Sequence, residues 1–364
     1  MYLDNASTTP LSDYVKEEII KQLDNYGNPS SVHRKGKKAK EIIKKAKNEV
    51  ANFISGNADN IIFTSSGSAS NNLVIRGLSD KYMYLYTPTS HKSMRLVCES
   101  KPFHQSVLMN KDGSINLDNL KKLFGKKKIV FCYEMVNSEI GVIQNNEKII
   151  ELIHDVDGIV VADATALVPH YQLKANECKA DYITFSGHKL GALKGIGVVY
   201  NNSMEELTPL IYGAQEHGLF GGTENFIGIV SLCEACKNYD YNDKNNMYVL
   251  HHYLSDSILK IPNSYEIVGN SEFKIPFISM FCFKNVQGEE LAELLDEYNY
   301  QVSTGSACNS GSKDLSPTLI SIGINQDDIS CCIRISLSGY ESIEDIDEFV
   351  DCLKSKVEKL RLFE

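Results

Sequence analysis

Short apolar runs alternate with helix-patterned segments along most of this chain, and that alternation restricts the fold more than any other feature. Strand-like runs at residues 61–64, 82–86, 107–108, 129–133, 159–162, 181–185 and 198–200 are separated by helical stretches at 70–78, from about 90, 117–124 and 147–154. Strands joined through helices require crossover connections, hence a mostly parallel sheet covered on both faces. Two further helices, at 12–24 and 33–54, precede the first strand, and another runs from Thr223 to about residue 239. Polarity then rises at 241–246, a hinge signal. A second set follows: helix 247–259, strand 277–283, helix 289–298, strand 333–337 and helix 343–360. The expected fold is α/β, with a large domain at residues 12–243 and a small α/β domain made of residues 1–11 and 244–364.

In such sheets ligands sit at the carboxyl ends of the strands. The run at 159–162 ends on Asp163-Ala164, and the run at 181–185 leads into Ser186-Gly187-His188-Lys189. Burying a lysine is costly unless something uses it. A desolvated amine is a nucleophile toward carbonyls, which is Schiff-base chemistry. Taken singly, Lys189 also fits an exposed loop, and Asp163 also fits a helix N-cap. Facing one crevice, the pair fits pyridoxal phosphate, which needs a lysine for its aldehyde and a carboxylate to keep its pyridine nitrogen protonated.

The formal net charge of −10 argues against nucleic-acid binding, which needs a basic face. Lysines do crowd residues 35–47, at helical spacing; the run reads as a solvated face or as a docking patch for an acidic partner. Ten cysteines without a leader-like segment indicate reduced thiols in the cytoplasm. Cys233 and Cys236 form a CxxC inside a helical pattern with no second pair, so no metal site is expected, and Cys331-Cys332 reads as core. No apolar run reaches the roughly 18 residues of a membrane span. The opening residues, from Tyr2 on, are expected to belong to the fold itself.

The motifs also resemble, in order and almost end to end, the cysteine desulfurases. These are pyridoxal-phosphate enzymes of the class V aminotransferase group with fold-type I architecture, in which a seven-stranded sheet is flanked by helices. The matching stretches are Tyr2-Leu3-Asp4-Asn5-Ala6, Gly27-Asn28-Pro29-Ser30-Ser31 with His33, Phe63-Thr64-Ser65, Asn137 with Glu139-Ile140-Gly141, and Asp163-Ala164. Ser186-Gly187-His188-Lys189, Gly222-Thr223-Glu224-Asn225, Gly305-Ser306-Ala307-Cys308 and Arg334-Ile335-Ser336-Leu337 complete the set.

The resemblance implies that Lys189 carries the cofactor as an imine and later moves the α-proton. It pairs Asp163 with the pyridine nitrogen and stacks His91 on the ring, although His91 also fits a plain helix-start histidine. Gly67 and Ser68 cradle the phosphate at a helix N-terminus, with donors from Ser186 and His188. Thr223 reaches the phosphate of the other subunit of a homodimer. Arg334 clamps the substrate carboxylate, and Asn28 and His33 lie near the substrate mouth. Cys308 stands in a run of small residues, 303–312, that reads as a mobile exposed loop. There the resemblance implies a thiolate that takes sulfur from L-cysteine as a persulfide, releases L-alanine, and passes the sulfur to an acceptor protein.

The chain also departs from the pattern. Ser138 replaces an asparagine that contacts cofactor and substrate, and Ala166 replaces a glutamine bonded to the phenolic oxygen. Each lost hydrogen bond is worth about 0.5–1.5 kcal/mol. Leu219 and Phe220 stand where arginines are usual, replacing charge with apolar surface, and the phosphate loop Ser65-Ser66-Gly67-Ser68-Ala69 differs too. These changes keep open a non-catalytic scaffold or regulatory subunit, and a further reading keeps the cofactor but needs no essential thiol: a β-lyase acting on selenocysteine or cysteine sulfinate.

Overall fold

A computed structural model describes residues 1–241, 246–269, 273–304 and 315–362. Its large sheet comprises β1 (Ile61–Thr64), β2 (Met83–Tyr86), β3 (His104–Ser106), β4 (Ile129–Glu134), β5 (Ile159–Asp163), β6 (Tyr182–Ser186) and β7 (Gly197–Asn201). Their spatial order is β1-β7-β6-β5-β4-β2-β3. The pairings from β6 across to β3 are parallel, whereas β7 runs antiparallel to both β1 and β6. Every residue of β4, β5 and β6 is buried. Near-continuous apolar runs of this kind mark strands covered on both faces.

The first four helices are α1 (Asp13–Gln22), α2 (Arg34–Phe53), α3 (Gly67–Gly77) and α4 (Lys92–Glu99), of which α3 and α4 reach the site. In α2, Ala39, Ile43, Ala46 and Val50 recur at three- and four-residue spacing and are buried, which leaves the lysines from 35 to 45 on the outer face, whereas Lys47 turns inward to pair with Glu216 at 2.7 Å. Its buried stripe packs on the helix Phe226–Lys237. That helix holds both Cys233 and Cys236; it begins at Phe226 rather than Thr223, because the Asn225 side chain accepts from Gly228 N at 3.1 Å and caps it. The third strand also differs from expectation. It is His104–Ser106, an exposed edge strand held by main-chain pairing to β2, while the apolar Val107 falls just beyond it.

A second sheet, wholly antiparallel, has the order β10-β11-β9-β8, from β8 (Ser264–Ile267), β9 (Ile278–Phe283), β10 (Ser303–Thr304) and β11 (Cys332–Ser336). The first residues of the chain join it: Asp4 bridges to Ser336 and Tyr2 to Gln301. One apolar cluster runs from Phe131 and Phe185 of the large sheet to Phe281, Ile333 and Phe349. Cys332 lies opposite Cys282 and is buried, as is Cys331. No helix among the described residues is long and apolar enough to cross a membrane.

Candidate active site

A cavity of about 260 Å³ opens at the carboxyl ends of β4, β5 and β6. Asp163, 5% exposed, ends β5 at its floor. One carboxylate oxygen accepts from Thr165 N at 2.9 Å, an Asx turn rather than a helix N-cap. The other accepts from Asn71 Nδ2 at 2.8 Å, and Asn71 is itself oriented by the Thr184 hydroxyl, which donates to Asn71 Oδ1 at 2.6 Å. Asn71 is on α3 and Thr184 on β6, so three elements fix this one carboxylate.

Lys189 closes a single 3₁₀ turn, Gly187–Lys189, directly after β6, and lines the same cavity. The turn requires glycine at 187, where a Cβ would sit 2.8 Å from Ile196 Cγ2. The N-terminal segment clamps it: Thr9 N and Oγ1 donate to His188 O at 3.1 and 3.0 Å, and Gly191 N donates to Thr9 Oγ1 at 2.9 Å. His188 has Nδ1 3.1 Å from Thr8 Oγ1. Burial, with Lys189 and Lys194 adding repulsion, pushes His188 down to about 4, so its ring is neutral near pH 7.

His91 caps α4, Nδ1 accepting from Ser93 N at 3.2 Å, while its ring lines the cavity. The helix-start reading therefore holds, and the ring stands on the cavity wall. Burial lowers its pKa against the upward pull of Asp163; Lys189 and Lys92 act in the same downward direction. Its main-chain N–H donates at 2.7 Å to Oε1 of Glu134. Glu134 ends β4 as the register partner of Asp163 and also lines the cavity.

Ser66, Gly67 and Ser68 form the opposite wall at the N-terminus of the eleven-residue α3. Ser66 caps the helix by accepting from Ala69 N at 3.1 Å. A Cβ on Gly67 would lie 3.1 Å from Ser186 Cβ, and one on Gly197 would lie 2.3 Å from the Ser66 carbonyl carbon. Glycine at both positions lets the loop sit down on β6 and β7, with Ser186 and His188 completing the wall. Exposed amides, a helix dipole and hydroxyl donors suit a phosphate.

Arg334, 4% exposed, enters from β11. Nη2 donates to Asp4 Oδ1 at 2.7 Å and to Ser7 Oγ at 2.6 Å, and Nη1 donates to Ser138 O at 2.9 Å. Its buried Nε has no partner among the described residues. Ser138 lines the cavity, and Ala166 lines both it and a larger neighbouring cleft of about 760 Å³ that Lys189 also reaches.

Other expected positions are not brought together with these. Asn28 is exposed and its Oδ1 accepts from Ser30 N at 2.9 Å; His33 caps α2 by accepting from Gly36 N at 3.2 Å. Thr223 is exposed and does not line this cavity. Leu219 and Phe220 are half-buried against the apolar cluster under Ile62 and Leu73, so they are packing rather than open surface. Cys308 lies outside the described residues; the chain before it, at Ser303, pairs with Arg334. Sequence reasoning missed Glu134 and Asn71. Glu134 carried the same signal as Asp163, an acid ending an apolar strand run, whereas Asn71 carried none.

The aminotransferase class-V family model matches residues 1–349. The cysteine desulfurase IscS of Dictyoglomus turgidum is 31% identical over 376 residues, covering 99% of this chain and 95% of that protein. The cysteine desulfurase IscS of Mannheimia succiniciproducens is 33% identical over 380 residues, covering 99% and 93%. The chain belongs to the cysteine desulfurase family of class-V aminotransferases. Solved structures agree with this family's fold. A NifS-like protein superposes with a TM-score of 0.91 at 27% identity, covering 99% of both chains. SspA in complex with cysteine does so with a TM-score of 0.82 at 27% identity, over 94% of this chain and 99% of that one.

The residue set fits the family's cofactor, pyridoxal phosphate: an amine and a carboxylate held by two N–H donors line one cavity, with an anion-binding helix N-terminus beside them.

Proposed function

We propose that this chain is a pyridoxal-phosphate-dependent cysteine desulfurase that removes sulfur from L-cysteine, releases L-alanine and holds the sulfur as a persulfide on Cys308. The single observation that carries the reading is the convergence of Lys189, Asp163, His91 and Arg334 on one cavity. When bound, the cofactor supplies an electron sink for a carbanion at the substrate's α-carbon. Lys189 would hold its aldehyde, and Asp163, fixed by Asn71 and Thr165, would face the ring nitrogen. His91 would cover the ring, while Gly67, Ser68, Ser186 and His188 would take the phosphate. Released from the aldehyde, the Lys189 amine would accept the α-proton. Arg334 would bind the substrate carboxylate by turning its fork from Asp4 and using the unpartnered Nε.

Ser138 and Ala166 leave the ring with fewer polar partners than the family pattern has, so binding leans on the phosphate wall and Asp163. Thr223, exposed and away from its own cavity, supports a homodimer in which each copy lends it to the other's phosphate site. Asn28 and His33 would act at the substrate mouth only in such a pair. A sulfur-acceptor protein would meet the Cys308 segment, and a reduced cytoplasmic setting suits the unbridged cysteines described. Borohydride reduction of the protein loaded with pyridoxal phosphate, followed by peptide mapping, is expected to label Lys189. Cys308→Ser should keep that label and lose cysteine turnover. Label elsewhere, or turnover that survives Cys308→Ser, overturns the proposal.

A further inference from the structure

Two carboxylates face the same cavity where the mechanism uses one. Glu134 and Asp163 are register partners at the ends of adjacent parallel strands, so both project from the same face of the sheet. Glu134 is 7% exposed and Asp163 5%. Of two neighbouring carboxylates in a dry site, the better-supported one ionises first and holds the other neutral to higher pH.

The support is unequal. Asp163 accepts two hydrogen bonds, of 2.8 and 2.9 Å, from donors that other groups hold in place. Glu134 accepts 2.7 Å from His91 N and only a long 3.3 Å contact from Asn137 Nδ2. Asn137 cannot turn to do better, because its Oδ1 is engaged by Glu139 N and Ile140 N, both at 3.0 Å. The charged groups facing Glu134 divide as well. Burial raises its pKa most, followed by the charge of Asp163 and, more weakly, Glu139; the His91 N–H and Lys189 oppose them, and the group comes to rest at about 8.

We propose that Glu134 is a positioning residue of this site acting as a neutral carboxylic acid: it fixes the main chain of His91 while leaving Asp163 the one carboxylate that faces the cofactor ring. The first half stands on the protein alone; the second rests on the pyridoxal-phosphate reading above. A neutral acid can hold an N–H at the start of α4 without adding a second negative charge under the ring. The hold on His91 is through the main chain, so it sets where α4 begins and hence where the imidazole lies.

The test compares wild type with Glu134→Gln, which stays neutral and keeps the acceptor for His91. Unfolding of the cofactor-free proteins by urea is followed across pH. The wild-type midpoint is expected to fall relative to Glu134→Gln as pH rises from 4.5 to 8, then to run parallel above 8. Infrared titration of the wild type, which needs no variant, should show a protonated carboxyl lost near pH 8. After loading with pyridoxal phosphate, Glu134→Gln, which keeps the acceptor for His91, should retain turnover within about threefold. Glu134→Ala should lose at least tenfold in kcat. Parallel midpoints across the whole range, or no carboxyl titrating above pH 6, would overturn the neutral-acid assignment. Unchanged kcat in Glu134→Ala would overturn the positioning role. Failure of the cofactor reading shows itself separately: neither protein would take up pyridoxal phosphate, while the cofactor-free pH difference would persist.

Discussion

Replacing Asp4 by asparagine isolates the interaction that ties the start of the chain to the site. Arg334 and Asp4 meet at 2.7 Å, with side chains 5% and 22% exposed, 330 positions apart in sequence. Removing one partner of a fully buried pair costs about 3–5 kcal/mol, because the other charge is left uncompensated. Here the cost is smaller. Asp4 keeps partial contact with water, Ser7 Oγ and Ser138 O still accept from the guanidinium, and asparagine retains an oxygen for Nη2. About 2 kcal/mol is expected, roughly a thirtyfold shift in the folding equilibrium. Urea unfolding of the cofactor-free protein measures it. The same change frees Arg334 for the substrate carboxylate, so KM for L-cysteine should fall several-fold at unchanged kcat, the signature of altered uniform binding. A stability change below about 0.5 kcal/mol would show that the ion pair contributes nothing net. A rise in KM would mean that Asp4 orients Arg334 instead of competing for it.

Asn71→Ala removes the fully buried amide that bridges Asp163, Ser93 and Thr184, and should cost about 2–4 kcal/mol and weaken pyridoxal phosphate binding, read by unfolding and by absorbance titration. His188 sits at about 4 when folded against an ordinary 6.5, so the unfolded chain binds the extra proton first. Its contribution is whole above pH 6.5 and fades as pH falls toward 4. Cofactor-free His188→Gln should therefore lose less stability than wild type between pH 7 and 4.5, and an equal loss would refute the assignment. His33→Ala removes an N-cap and should cost about 1 kcal/mol; a kcat or KM change beyond that stability effect would support its place at a substrate mouth.

The periodic segments were legible because helix and strand write burial into local spacing. The residues 39, 43, 46 and 50 of α2 show it, as do the unbroken apolar runs of β4 to β6. What had no local period stayed hidden. The edge strand His104–Ser106 is held by main-chain bonds that any side chains permit, and β8, half-exposed along most of its length, offers no clear alternation. Of the site, Lys189 and Asp163 were visible as polar residues ending apolar strands.

By itself, then, the order of residues determined the periodic helices and the buried strands, and which polar groups stand at the ends of those strands. Only the tertiary structure decided that β7 turns back antiparallel between β1 and β6, that Asn71 reaches Asp163, and that Arg334 finds Asp4. Local spacing records how deeply a residue is buried. Which distant partner meets it there depends on strand order and on close approaches such as Gly197 against Ser66, where backbone geometry rather than side-chain pattern sets the neighbour.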